Sequence, residues 1–197
     1  AMELIKRIQK NIRYYQEKIF KTEIEGSFWN VPLRRLLLHI ALAFRKLEPV
    51  LSEEEKQWYS DIISQQVQFA IEHNKNFFPG EHSLNKTTTN NHTAIFMQGI
   101  YYCGVVFNRP EWIELCLDFA RRLYESVRPE GYYEENTNEA HEGGPSLVYT
   151  RLTLGCLYDV LNGKKKPLEK FIEAGIFYRS FVNNDYQMIS IADERTN

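Results

Sequence analysis

Residues 87–104 read TTTNNHTAIFMQGIYYCG, a polar segment that becomes an apolar helix at the triplet Asn90–Asn91–His92. Asparagine is a common helix N-cap, because its side-chain oxygen accepts a backbone N–H that has no intrahelical partner. The first turn also carries the positive end of the helix dipole, which favours bound anions. Two amides and an imidazole here are therefore suited to bind a carboxylate and to keep the imidazole neutral, able to accept a proton. The alternative is that Asn90 or Asn91 caps the helix and that His92 is a surface residue.

The composition is that of a single globular domain with a substantial core. The chain has 197 residues, of which 43% are hydrophobic and 25% charged, as in ordinary globular proteins. The net charge of −2 gives no sign of a nucleic-acid partner, and no apolar run is long enough for a membrane span. Cys103, Cys116 and Cys156 are widely spaced within helical patterns, which predicts buried apolar side chains rather than disulfides or a metal site.

Apolar residues recur at helical spacing along most of the chain, which predicts an all-α fold of antiparallel helical hairpins. The helices are predicted at about 2–20, 32–47, 52–74, 91–107, 110–127, 145–160 and 167–181. Ser52 and Glu55 form a capping box, Asn108 and Pro110 are predicted to start the helix at 110–127, and Pro145 is predicted to start the next one. The helix at 91–107 is apolar on nearly every side, so we expect it to lie centrally, with its N-terminus opening into a cavity.

Two long polar loops interrupt the helices, at 77–89 and at 128–144. Long polar loops in a helical protein are often functional. They precede the helices at 91–107 and 145–160, which are separated by one helix. In an antiparallel array both loops then lie at the same end, which brings His92 towards the segment 130–149.

The second loop and the helix after it are rich in residues that carry chemistry. From Glu130 to Glu142 there are five carboxylates and no lysine or arginine. An acidic polysaccharide would be repelled unless basic side chains face the cleft or a divalent cation bridges the charges. The basic candidates are Lys86, Arg121, Arg122, Arg128 and Arg151. We expect no dedicated cofactor, although a structural or charge-bridging divalent cation is compatible with this loop.

Three chemistries fit these residue types. The first is proton abstraction beside a carboxylate, as in β-elimination from a uronic acid, with Asn91 neutralising the carboxylate, His92 as base and Tyr149 as acid or second base. The second is glycoside hydrolysis by two carboxylates, drawn from Glu134, Glu135, Glu142 and Asp159. The third is cation binding by the acidic loop. The alternative to all three is that the glutamates form a solvated loop surface.

Three segments resemble the toroidal heparinase II/III-like and alginate-lyase polysaccharide lyases. They are Thr89–His92, Glu130–Glu135 and Pro145–Tyr149, and Ile189–Asp193 is similar to the segment that leads into that family's β-sandwich domain. In the family an Asn–His pair opens an inner helix, and an acidic-Gly-x-aromatic-x-Glu segment and a Pro-x-Tyr-His-x-Tyr-like helix start follow. The resemblance covers the chain from Thr87 onwards. Leu147 and Val148 stand where the family often has Tyr-His.

The resemblance implies a lyase that cleaves uronic-acid-containing glycans by β-elimination. Asn91 would bind the carboxylate, and His92 and Tyr149 would move protons. Further contacts with an acidic oligo- or polysaccharide are expected from Asn90, Tyr132, Tyr133, Glu135, His141, Glu142 and Arg151. The residue types leave two alternatives, a toroid glycosidase that uses a glutamate pair and a non-catalytic helical module that binds sugars or a protein.

The resemblance also implies a domain organisation. Residues 1–182 are expected to form a partial (α/α) toroid, and residues 183–197 to be a tail that starts a missing β-sandwich domain. The chain is then a fragment or a shortened relative, without the histidine and arginine contacts of the β-domain, and inactive alone if it is a fragment. Its exposed apolar helix faces predict self-association, and a periplasmic or secreted location follows if the resemblance holds.

Overall fold

The computed structural model describes residues 31–73, 90–132, 134–135, 144–145, 147–162 and 169–180, together with Arg7 and Lys10. Within these ranges the chain is helical apart from one pair of two-residue strands, which confirms the all-α class. The predicted helix at 2–20 (apart from Arg7 and Lys10), the loop at 77–89 and the tail at 183–197 lie outside the described residues. None of the helices in the described ranges is long and apolar enough to cross a membrane.

Six α-helices and two strands have bounds within the described ranges, with a short 3-10 turn at Glu48–Val50. The elements are α1 (Val31–Leu47), α2 (Glu53–His73), α3 (Asn90–Val106), α4 (Pro110–Glu125), β1 (Glu134–Glu135), β2 (Gly144–Pro145), α5 (Leu147–Asn162) and α6 (Glu169–Arg179). The helix bounds agree with the predicted ones to within about two residues, the usual uncertainty of helix ends.

The predicted capping box at the start of α2 is confirmed. The Glu55 backbone N–H donates to Ser52 Oγ at 3.2 Å, and the Ser52 backbone N–H donates to Glu55 Oε2 at 2.9 Å. Two N–H groups that have no partner inside the helix are therefore satisfied by neighbouring side chains. This arrangement depends on three consecutive peptide units alone, which is why the sequence predicts it.

Helix α3 is central, as its apolar composition predicts. It contacts α1, α4 and α5, and Phe96, Met97 and Ile100 are among its fully buried side chains. Its neighbour α1 runs in the same direction. Leu37 O accepts a hydrogen bond from the Cys103 thiol at 3.6 Å. Seven residues later in α1, Phe44 packs on Phe107, which directly follows the last residue of α3, with ring centroids 4.6 Å apart. Helices α1 and α3 therefore lie side by side and parallel.

The link between α3 and α4 is short and tight. Asn108 has a positive φ of 52°, and the Arg109 N–H returns to Gly104 O at 2.8 Å, as in a Schellman helix end. A Cβ atom on Gly104 would lie 2.8 Å from Ile113 Cγ1. The prediction that Asn108 begins the next helix is thus wrong, because Asn108 ends α3, whereas the prediction for Pro110 is confirmed, because Pro110 is the first residue of α4. Helices α3 and α4 form an antiparallel hairpin.

Pro145 does not begin a helix, contrary to the prediction. It lies in β2 and pairs with Glu134 of β1, while Gly144 pairs with Glu135. A proline fits the rim of such a minimal ladder because it has no N–H to donate. The pairing holds the start of α5 close to the segment that follows α4. Because α3 and α4 are antiparallel, the end of α4 lies beside the start of α3. Helices α3 and α5 therefore begin at the same end of the fold.

Helix α6 is attached to the C-terminal end of α4 by one lysine. Lys170 Nζ donates to the backbone oxygens of Glu125 at 2.8 Å, Tyr124 at 3.3 Å and Val127 at 3.3 Å. The Lys170 N–H also donates to the Tyr124 hydroxyl at 3.0 Å. The last carbonyls of a helix have no intrahelical partner and carry the negative end of its dipole, so a cation here is stabilising.

Lys170→Met should therefore destabilise the protein by about 1–3 kcal/mol, because it leaves carbonyl oxygens of α4 without their charged donor. Urea unfolding monitored by circular dichroism measures the change. Lys56→Met is the matched control, since Lys56 forms an exposed ion pair with Glu53 at 2.7 Å of a kind that contributes little. Equal unfolding midpoints for the two variants would show that Lys170 does not cap α4.

Candidate functional site

Asn91 is one of two buried amide side chains in the described part of the core whose oxygen has no hydrogen-bond partner there, and the other is Gln66 of α2. The Asn91 side chain is 2% exposed, and its Oδ1 atom has no hydrogen-bond partner among the described residues. Asn90 is the first residue of α3, so Asn91 lies inside the helix, and the alternative that Asn91 is the N-cap is wrong. A buried acceptor without a partner costs about 1–3 kcal/mol, and such a group calls for a functional explanation.

The position of Asn91 relative to α5 follows from a contact two turns further along α3. The Gln98 amide donates to Asp159 Oδ2 at 2.6 Å and accepts the Cys156 thiol at 3.4 Å. Seven residues make nearly two helical turns, so positions 91 and 98 share one side of α3, and positions 149 and 156 share one side of α5. Because the two helices begin at the same end, helix position 149 is the neighbour of position 91.

The first two turns of α5 add two buried hydroxyls to this region. Thr150 and Thr153 are both 0% exposed, and Thr153 Oγ1 has no partner within the described ranges. The interface between α3 and α5 is therefore polar near the helix starts, whereas the rest of the described core is largely apolar. The sequence analysis did not single out either threonine, although their spacing of three residues places both on one side of an apolar helix.

The remaining predicted site residues divide into three groups. His92 and Tyr149 are each the third residue of their helix, α3 and α5, and both helices begin at one end of the fold. Glu135 is paired with Gly144 in the strand ladder, and Arg151 is exposed on α5. Tyr133, His141 and Glu142 lie outside the described residues.

Tyr132, a predicted sugar contact, is packed against α6. Its ring stacks on Phe177 with centroids 5.2 Å apart and planes at 30°. The residue before it, Gly131, has a φ of 92°, and a Cβ atom there would lie 2.5 Å from Ala174 Cα. These two contacts anchor the beginning of the acidic loop on α6, so Tyr132 serves at least as a positioning residue.

Three of the basic side chains predicted to offset the acidic loop lie in the last turns of α4 and the first turns of α5. Arg122 is paired with Asp118 in its own helix at 3.0 Å, whereas Arg121 and Arg151 are exposed. No group of three or more histidine, cysteine or acidic side chains that would suit a metal ion occurs in the described part of the chain. The cysteines are buried and free, as predicted, and burial raises the pKa of the Cys103 and Cys116 thiols.

Asp159, a candidate for the carboxylate pair of a glycosidase, is distant from the helix starts. It lies ten residues after Tyr149 on α5, which is about 15 Å along a helix axis. Glycosidase carboxylates are separated by about 5–9.5 Å. Asp159 is therefore poorly placed to act with a glutamate of the acidic loop.

Comparisons of the chain with known protein families, with characterised proteins and with solved structures gave no significant match. The function is therefore inferred from the residues and from their arrangement at the starts of α3 and α5. The central feature of this region is a buried amide whose oxygen has no partner among the described residues, next to the helix position of a tyrosine.

Proposed function

We propose that the protein is a uronic-acid polysaccharide lyase, or the helical part of one, which cleaves its substrate by β-elimination. The observation that carries the proposal is the buried Oδ1 of Asn91 without a hydrogen-bond partner among the described residues. It lies in the first turn of α3, where the helix dipole favours an anion. A uronate carboxylate is an anion that an amide can neutralise by hydrogen bonding.

The reaction assigns one role to each of three residues. Asn91 binds the carboxylate, which makes the proton on the adjacent sugar carbon C5 easier to remove. His92 or Tyr149 takes that proton, the electron pair forms the C4–C5 double bond, and the C4–O bond of the glycosidic link breaks. The leaving oxygen receives a proton from the second of the two residues. The products are an unsaturated uronate end and a free hydroxyl.

The orientation of the Asn91 amide bears on this role. The unpartnered atom is an acceptor, Oδ1, whereas a carboxylate requires a donor. Half a rotation of the planar amide about its Cβ–Cγ bond exchanges Oδ1 for Nδ2 within the same volume. Asn91 is therefore able to bind either a carboxylate through Nδ2 or a sugar hydroxyl through Oδ1.

The partial (α/α) toroid is part of the same proposal. Helices α1 and α3 are parallel neighbours, α5 also packs on α3, and α4 contacts both α3 and α5. In an (α/α) toroid one helix of each hairpin lies in an inner row and the other in an outer row, and these contacts are compatible with that arrangement. In this arrangement α1, α3 and α5 are the inner helices, and their starts surround the cleft.

The proposal predicts that the full-length protein releases products with a new ultraviolet absorbance from the C4–C5 double bond when it is given acidic glycans. His92→Ala should lower this rate by about 10²–10⁴-fold, the usual contribution of a general acid or base. The rate should also fall on acidification, because a protonated imidazole cannot accept a proton. A continuous absorbance assay over a panel of uronate polymers measures both effects.

Lys46→Ala is the control for this assay, because Lys46 is an exposed cation in the last turn of α1, at the end opposite the helix starts, and has no proposed role. Reducing sugar released without a double bond would point instead to a glycosidase. The lyase proposal fails if no acidic glycan yields an unsaturated product, or if His92→Ala cleaves as fast as the control.

A further inference from the structure

A strip of polar and aromatic side chains runs along the solvent side of α3, between α1 and α5. It consists of Arg45, Gln98, Tyr101, Tyr102 and Asp159, and we call it the α3 strip. Gln98, Tyr101 and Tyr102 are half-buried, and Arg45 and Asp159 are exposed. None of these groups is a member of the site at the helix starts.

The parts of the α3 strip are close to one another. The Gln98 amide donates to Asp159 Oδ2 at 2.6 Å, and the rings of Tyr101 and Tyr102 meet edge to face with centroids 5.8 Å apart. Burial raises the pKa of the Tyr102 phenol, the Asp159 carboxylate raises it further and the Arg45 guanidinium lowers it. Both charges therefore act on the Tyr102 hydroxyl, one from α5 and the other from α1.

Space is open beside the strip on the α5 side. Gly155 lies one turn before Asp159 on the same side of α5, and a Cβ atom at Gly155 would meet nothing within 4 Å. On the other flank, Leu42 and Val105 are two of the six large hydrophobic residues that are exposed in the described ranges. The strip thus combines aromatic and apolar surface with polar groups that are held in place.

We propose that the α3 strip binds a pyranose ring of a carbohydrate chain, as a subsite separate from the one at the helix starts. A sugar ring presents hydroxyls that both donate and accept, and neighbouring hydroxyls match the planar, two-atom ends of an arginine, a carboxylate or an amide. Its C–H face packs on aromatic rings. One arginine and one aspartate leave the strip without net charge, which suits single sugar units better than a polyanion or nucleic acid.

The bond between Gln98 and Asp159 supports a binding role over a purely structural one. It lies at the protein surface, where a single hydrogen bond adds little to stability. The hydrogen bond does fix the orientation of both side chains before a ligand binds. Less rotamer freedom is then lost on binding, and such preorganisation increases affinity. The identity of the ligand as a carbohydrate rests on the proposed function, but binding is measurable without catalysis.

The test is isothermal titration calorimetry of the full-length protein with short purified oligosaccharides, both neutral glucans and uronate oligomers. Tyr102→Ala should weaken the binding of at least one of them by about tenfold or more, and Tyr102→Phe, which keeps the ring, should lose less. Tyr158→Ala is the control, because Tyr158 is an exposed tyrosine on α5 that is not a member of the α3 strip and has its ring centroid 5.6 Å from that of Phe171. Thermal melts verify that each variant is folded.

The inference is overturned if no oligosaccharide binds the wild type, or if Tyr102→Ala and Tyr158→Ala bind alike. Binding through Tyr102 without any unsaturated product would support the subsite and reject the lyase proposal. Formation of unsaturated product with unchanged binding in Tyr102→Ala would support the lyase and reject the subsite.

Discussion

Replacing Gly131 with alanine is expected to destabilise the protein by about 2–5 kcal/mol. Gly131 has a φ of 92°, a conformation that costs other L-residues about 1–2 kcal/mol. An added Cβ atom would also lie 2.5 Å from both Ala174 Cα and Ala174 N and 2.7 Å from Glu173 C. These are backbone atoms, which cannot move aside as a flexible side chain would, so the overlap adds an overpacking cost of about 1–3 kcal/mol.

The control for this prediction is Gly175→Ala in the facing helix. Gly175 is exposed on α6, and a Cβ atom there would meet nothing within 4 Å. Alanine is the better helix former, so this variant should be more stable by about 0.5–1 kcal/mol. Urea unfolding of both variants gives the two free energies. If Gly131→Ala is as stable as the wild type, the close approach of the loop to α6 is not a feature of the folded protein.

Gly131→Ala should also affect the proposed site, because the same contact holds the start of the acidic loop. Tyr132 follows Gly131 and stacks on Phe177 of α6, and β1 begins two residues later. We expect faster hydrogen exchange in α6 of Gly131→Ala even under conditions where the variant remains folded. Exchange in α2, which is distant from this contact, should be nearly unchanged.

Features that depend on neighbouring residues were predictable from the sequence. The capping box of Ser52 and Glu55 is one example, because its hydrogen bonds span three residues. The central position of α3 is another, since a helix that is apolar on nearly every side requires neighbours on every side. The position of Gln98 on the same side of α3 as Asn91 was also predictable, because the two residues are about two helical turns apart.

Features that depend on residues far apart in the chain were not predictable. The tight approach at Gly131 involves Ala174, and nothing near either residue in the sequence indicates the other. Pro145 has the local pattern of a helix start but pairs with Glu134 instead. Asn91 also fitted two interpretations equally well, and its place inside the helix excludes the one in which Asn91 is the cap.

The second large effect is expected from Asn91→Leu, which should separate stability from activity. Leucine is close to asparagine in shape and removes a buried acceptor that has no partner among the described residues. The variant should be as stable as the wild type or more stable by about 1 kcal/mol, because the desolvation cost disappears. Its lyase rate should fall by about 10²–10³-fold, the range expected when one donor to a developing charge is lost.

Gln66→Met is the matched control for Asn91→Leu. Gln66 is a buried amide of α2, 1% exposed, whose oxygen likewise has no partner in the described ranges, and methionine is close to glutamine in shape. Both variants should gain stability for the same reason, but Gln66→Met should keep its activity because Gln66 has no role in the proposed reaction. A structural asparagine would give the opposite result, a loss of stability in Asn91→Leu with the rate intact. A gain in stability together with a loss of rate is the result expected of a residue whose partner is the substrate, because function often has a cost in stability.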